Sequence, residues 1–139
     1  MEDRIKKILA YKVIAVVGLS KNPSKPSHYV PRYMQAQGYR IIPVNPTAGE
    51  ILGERCYPSL DEVQERIDVV NIFRPASEVL PIVEKAINKG VKAVWMQEGI
   101  VNKEAAELAE KNGILVVMDR CMMKEHRALS SFTHRSRTL

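Results

Sequence analysis

Five runs rich in Val and Ile alternate with helical stretches of about ten residues, one unit roughly every 25 positions. The runs are apolar on both alternating faces, as strands are when helices cover the sheet from both sides. Glycines close the helical stretches at Gly38, Gly90 and Gly113. Together these observations predict an α/β, Rossmann-like, doubly wound parallel five-stranded sheet in three layers. The expected strand order is 3-2-1-4-5.

Each element has its own signal. Ile5, Ile8 and Leu9 fall at helical spacing among charges, so residues 2–11 predict a short amphipathic helix. Val13–Val17 is the first strand. After a polar loop, His28–Gln37 predicts a helix that tolerates Pro31 in its first turn. Arg40–Val44 is the second strand, and Pro43, which lacks a ladder donor, asks for one irregular or partly exposed side. Residues 45–58 hold Pro46, Gly49, Gly53 and Pro58 and predict a loop with substructure. Ser59-Leu60-Asp61-Glu62 matches a capping box opening a short helix that ends near Arg66. Asp68–Phe73 is the third strand, stopped by Arg74-Pro75. A broad apolar stripe over Ser77–Lys89 predicts a helix. Val91–Met96 is the fourth strand, Asn102 caps a helix through Asn112, and Ile114–Met118 is the fifth strand. Met122–Leu129 predicts a last helix. Residues 1–131 then form a single domain, with 132–139 a basic, frayed tail.

The chain has 139 residues, 45% apolar and 27% charged, which suits one soluble domain. Its apolar runs reach about six residues, far short of the roughly 20 that a membrane helix needs. The N-terminus carries no secretory pattern, so a cytoplasmic location and no membrane partner are expected. The net charge of +5 is uneven. Residues 120–139 hold five Lys/Arg against one acid, leaving +1 for the rest of the chain. A nearly neutral body argues against nucleic acid as the partner. Cys56 and Cys121 stand far apart and share no ligand spacing with the three histidines, so no metal site is expected.

Ligands of open α/β sheets bind outside the carboxyl ends of the strands. Those ends carry Gly18, Ser20, Lys21, Asn22, Pro23, Ser24 and Lys25 after the first strand, and Asn45 and Pro46 after the second. Phe73, Arg74 and Pro75 follow the third, Met96, Gln97 and Glu98 the fourth, and Cys121 the fifth. Lysines, an arginine and free turn amides suit a phosphorylated small molecule. Arg40 can join them only along the sheet edge. The turn after the first strand has one glycine, Gly18, where a dinucleotide motif has three, and the second strand ends in Asn45-Pro46 instead of an acid. Both departures count against NAD. No nucleophile–base pair is assembled, so no catalytic residue is assigned. Cys121, beside Arg120, is the candidate nucleophile and a thiol able to exchange with a thiol ligand.

On these residues the chain resembles the CoA-binding domain family, small relatives of the nucleotide-fold domain in succinyl-CoA synthetase alpha subunits. The likeness runs over residues 11–129. It rests on Val16-Val17-Gly18-Leu19-Ser20 with Asn22-Pro23, and on Gly38-Tyr39-Arg40 with Pro43-Val44-Asn45-Pro46. Cys56-Tyr57-Pro58-Ser59-Leu60, Trp95-Met96-Gln97-Glu98-Gly99 and Asp119-Arg120-Cys121-Met122 extend it. The resemblance implies coenzyme A or an acyl-CoA as ligand. Ser20–Pro23 would receive the phosphates and Arg40 would be a basic CoA contact, assigned to the 3′-phosphate. Met96-Gln97-Glu98 would touch the cofactor, and Asn45-Pro46 with Phe73-Arg74-Pro75 would flank the adenosine. The resemblance covers the CoA-binding part of the synthetase and not its ligase half or phosphohistidine, so it implies binding without the synthetase activity. The expected function is therefore a non-catalytic carrier, sensor or regulatory module, with a homodimer permitted. The alternatives are a subunit of an acyl-CoA ligase or transferase completed by another chain, and an NAD(P)-binding redox regulator.

Overall fold

A computed structural model describes residues 1–138, with 132–138 described by backbone alone. Five parallel strands form the sheet: β1 (Val13–Val17), β2 (Arg40–Val44), β3 (Val69–Ile72), β4 (Ala93–Met96) and β5 (Leu115–Val117). The helices are α1 (Glu2–Leu9), α2 (Pro26–Ala36), α3 (Val79–Asn88), α4 (Lys103–Lys111) and α5 (Met122–Thr138). Side chains alternate between two cores. Ile14, Val16, Val69 and Trp95 pack with α1, α2 and α5, while Ala15, Val70, Val94 and Met96 pack with α3 and α4. This is the three-layer architecture expected of a parallel sheet buried on both faces.

The strand order differs from expectation. It is β2-β1-β3-β4-β5, so β2 lies at the edge and β3 beside β1. Pro43 gives the physical reason. An order of 3-2-1 would flank β2 on both sides, whereas an edge needs no proline N–H. On its outer side the β2 backbone bonds Tyr57, whose N–H donates to Pro43 O at 3.0 Å and whose carbonyl accepts from Asn45 N at 2.9 Å.

Several local expectations shift. Ser59 makes no side-chain cap, and Leu60–Glu62 is a single 3-10 turn instead of a helix reaching Arg66. Ala76–Glu78 is likewise a 3-10 turn leading into α3. The loop between β2 and β3 contains a two-stranded hairpin, Glu50–Ile51 with Glu54–Arg55. The α5 backbone continues to Thr138, so the boundary drawn at 131/132 falls inside a helix, and Leu139 lies outside the described residues.

Helix α2 begins at Pro26, which places Pro31 in its interior instead of its first turn. A proline there cannot donate to the carbonyl four residues back, Ser27 O. That carbonyl accepts instead from Ser20 N at 3.1 Å, tying the loop after β1 to the helix it feeds.

Candidate functional site

The chain reverses direction across the sheet between β1 and β3, since β2 lies on one side of β1 and β3–β5 on the other. Ligands in folds of this order bind at that switch, at the carboxyl ends of the strands. Two clefts open there. The larger, about 560 Å³, is lined by Gly18, Ser20, Lys25, Asn45, Pro46, Phe73 and Arg74, with Ser59, Leu60 and Lys85 on its far side. The smaller, about 440 Å³, is lined by Tyr29, Phe73, Gln97, Glu98, Ile100, Cys121, Met123 and Lys124. Lys25, Ser27 and Phe73 border both.

Gly18 makes this junction possible. It adopts φ +91°, and a Cβ there would meet Phe73 O and Arg74 Cδ at 3.0 Å. Only glycine lets the two strand ends approach this closely. The loop that follows is anchored at several points. Asn45 Nδ2 donates to Leu19 O at 2.9 Å, and its Oδ1 accepts from Thr47 N and Oγ1. His28 Nδ1 lies 2.6 Å from Ser20 O, and Asn22 Oδ1 accepts from Ser24 N. His28 is thus a buried structural residue, engaged with the loop.

The amino end of α2 stands where the clefts meet. Lys25 is its N-cap, no side chain caps its first amides, and its first turn holds no acid. Such a terminus carries partial positive charge directed at whatever occupies the junction. Lys25 has no ion-pair partner among the described residues. Arg74 is paired with Glu78 at 2.8 Å and Lys85 with Asp61 at 3.3 Å, so their charge is partly matched.

The smaller cleft is held by the turn after β5. Asp119 adopts φ +59°, which Asp tolerates better than most residues. Its Oδ1 accepts from Gly99 N at 2.6 Å, and Trp95 Nε1 donates to Arg120 O at 2.8 Å. These bonds set Cys121 opposite the end of β4. Lys124 Nζ donates to both Glu98 oxygens at 3.1 and 3.2 Å across the rim. Glu98 holds the Lys124 ammonium above its usual range.

A family model described as CoA binding domain matches residues 12–127. The chain belongs to the CoA-binding domain family. It is 43% identical over 123 residues to the uncharacterized protein YneT of Bacillus subtilis, covering 88% of this chain and 91% of that protein. It is 31% identical over 117 residues to an ADP-forming acetate–CoA ligase II of Archaeoglobus fulgidus, covering 76% of this chain but 17% of the ligase. The structure of a hypothetical protein from Pyrococcus horikoshii OT3 superposes with a TM-score of 0.89 at 41% identity, covering 93% and 92% of the two chains.

Within this CoA-binding domain, the expected residues divide into two groups. Gly18, Ser20, Lys25, Asn45, Pro46, Phe73 and Arg74 meet around the larger cleft, and Gln97, Glu98 and Cys121 around the smaller. Lys21, Asn22, Pro23, Ser24 and Pro75 are exposed nearby without lining either cleft. Met96 is fully buried in the α3–α4 core. Arg40 starts β2, four residues from Val44 at the cleft, and is bound to Glu54 at 2.5 Å and to Glu65. Those carboxylates, Glu65 foremost, raise its pKa further. Lys85 and Lys124 were missed because both lie inside helical stretches, where nothing local marks a residue as facing a cleft. Among the described residues no His/Cys/Asp/Glu cluster could hold a metal, and no helix is long and apolar enough to cross a membrane.

Proposed function

We propose that this chain binds coenzyme A or an acyl-CoA at the carboxyl ends of its strands, as a carrier, sensor or regulatory module without catalysis of its own. The observation that carries this reading is the uncapped amino terminus of α2, standing with unpaired Lys25 where two clefts converge. CoA has the matching form: a diphosphate between a nucleotide and a long, largely uncharged pantetheine arm. The diphosphate would take Lys25 and the Ser27 N–H, since Pro26 has no N–H and the amides of Lys25 and His28 donate to Asn22 O and Lys25 O. The nucleotide would lie in the larger cleft against Asn45, Pro46 and Arg74, and the arm would pass Phe73 into the smaller one. Calorimetric titration at near-physiological salt should give saturable binding of one CoA per chain, weakened by Lys25→Glu. No heat with millimolar CoA would reject the proposal.

A second reading draws on the ligase relatives, whose length the chain spans only in small part. In it the domain supplies the CoA site of an acyl-CoA ligase completed by a separate chain. Co-purification with a nucleotide-binding ligase subunit, and CoA-dependent turnover by the pair alone, would favour this reading over a stand-alone binder.

A further inference from the structure

Gln97 directly follows β4 and is only 3% exposed. Its side chain is half engaged. Oε1 accepts from Met122 N at 3.0 Å, at the start of α5, whereas Nε2 donates to no group among the described residues. The Met122 N–H can face only the amide oxygen, so Nε2 is the end left for the smaller cleft that Gln97 lines. The buried side-chain atom without a partner among the described residues is Asn71 Oδ1, so Nε2 keeps access to the cleft; a ligand that fills the cleft must accept from Nε2 or leave it unpaired at a cost.

The surroundings limit what can accept from Nε2. Tyr29, Phe73, Ile100 and Met123 form largely apolar walls, and Cys121, the neighbour of Met122, lies at the same end as Gln97. Apolar walls disfavour a charged acceptor, which would lose its hydration there. At the rim Glu98 and Lys124 are paired with each other, and Lys25, shared with the larger cleft, is the cation assigned above to the diphosphate. What fits is an uncharged carbonyl attached to a small apolar group.

We propose that the smaller cleft reads the acyl end of an acyl-CoA, with Gln97 Nε2 donating to the thioester carbonyl and the apolar walls receiving a short acyl chain. The proposal rests on CoA being the ligand and adds which form of it the site prefers. Sulfur is a weak acceptor, so a free thiol or a thioether leaves Nε2 unsatisfied beneath the ligand. Sites discriminate most sharply when the wrong ligand leaves a buried polar group unpaired. Gln97 is in this sense a specificity-determining residue, and no bond is made or broken.

The test is titration calorimetry of the full chain with acetyl-CoA, S-ethyl-CoA and CoA. S-ethyl-CoA matches acetyl-CoA in size but lacks the carbonyl. The wild type should bind acetyl-CoA about threefold to tenfold more tightly than S-ethyl-CoA, the scale of one net hydrogen bond. Gln97→Glu keeps the acceptor for Met122 N and removes the donor, so it should abolish or reverse that preference. Equal affinity of the wild type for the two ligands, with CoA still bound, overturns the thioester reading and leaves the CoA reading standing. An undiminished preference in folded Gln97→Glu overturns the role of Gln97. Failure of all three ligands to bind rejects both readings. Should Gln97→Glu melt far below the wild type, the two wild-type titrations decide alone.

Discussion

At Gly18 and Pro31, single residues shape the loop on which the proposed site depends. Gly18 combines a left-handed backbone with a strand crossing too close for a Cβ. Gly18→Ala is expected to cost about 1–3 kcal/mol, from backbone strain and displacement of Phe73 and Arg74, measured by denaturant unfolding. Pro31 acts through what it lacks: without its N–H, Ser27 O is free to hold Ser20 N. Pro31→Ala restores a competing helical donor. It should leave the melting temperature unchanged or raised while weakening CoA binding several-fold, and unchanged affinity would show that the Ser20–Ser27 bond does not matter to the ligand. Both residues were visible as loop and helix punctuation. Their partners were not, because Phe73 and Ser20 reach them only after the sheet and loop close. Arg40 marks the converse limit: a basic residue in a matching motif finds Glu54 and Glu65 in the fold, and no sequence spacing announces that pairing.

At the scale of elements, helices were more legible than the segments between them. Asn102 accepts from Ala105 N at 2.9 Å as the expected cap of α4. The hairpin turn Leu52-Gly53 escaped notice because Leu52, at φ 58°, stands where Asn or Asp usually signals such a turn. Helix α5 docks on α2 through His126, whose Nδ1 lies 2.7 Å from Tyr33 Oη and whose ring meets Tyr33 and Tyr39 edge-on. Burial, with a smaller contribution from Lys12, lowers its pKa below the usual 6.5. The unfolded chain therefore binds this proton first. Stability should fall as pH drops below about 6.5 and level off once the folded form is also protonated. His126→Gln should flatten that part of the pH profile of the unfolding midpoint; an identical slope in the variant would remove His126 as its origin.

For the molecule as a whole, the proposed ligand site is a property of topology. Strands β1, β3 and β4 bring Gly18, Phe73 and Gln97 to one end of the sheet from widely separated positions. A ligand bridging them binds the folded state alone. CoA at about 100 times its Kd should therefore raise the unfolding free energy by about 2.7 kcal/mol, seen as a concentration-dependent rise in melting temperature. An unmoved melting temperature at millimolar CoA would contradict binding at this junction.

The sequence by itself determined the class of fold, the five strands and the helices apart from the one expected after Ser59, where only a 3-10 turn forms. Apolar periodicity and glycine or proline punctuation are local, and local signals suffice for those features. It also carried the family, through short segments kept in order along the chain. Only the tertiary structure decided that β2 lies at the edge and β3 beside β1, because the order of parallel strands depends on packing between distant segments. The same packing set Lys85 and Lys124 at the clefts, engaged Arg40 with Glu54 and Glu65, and placed Gln97 at the smaller cleft with its amide oxygen bound to Met122 N.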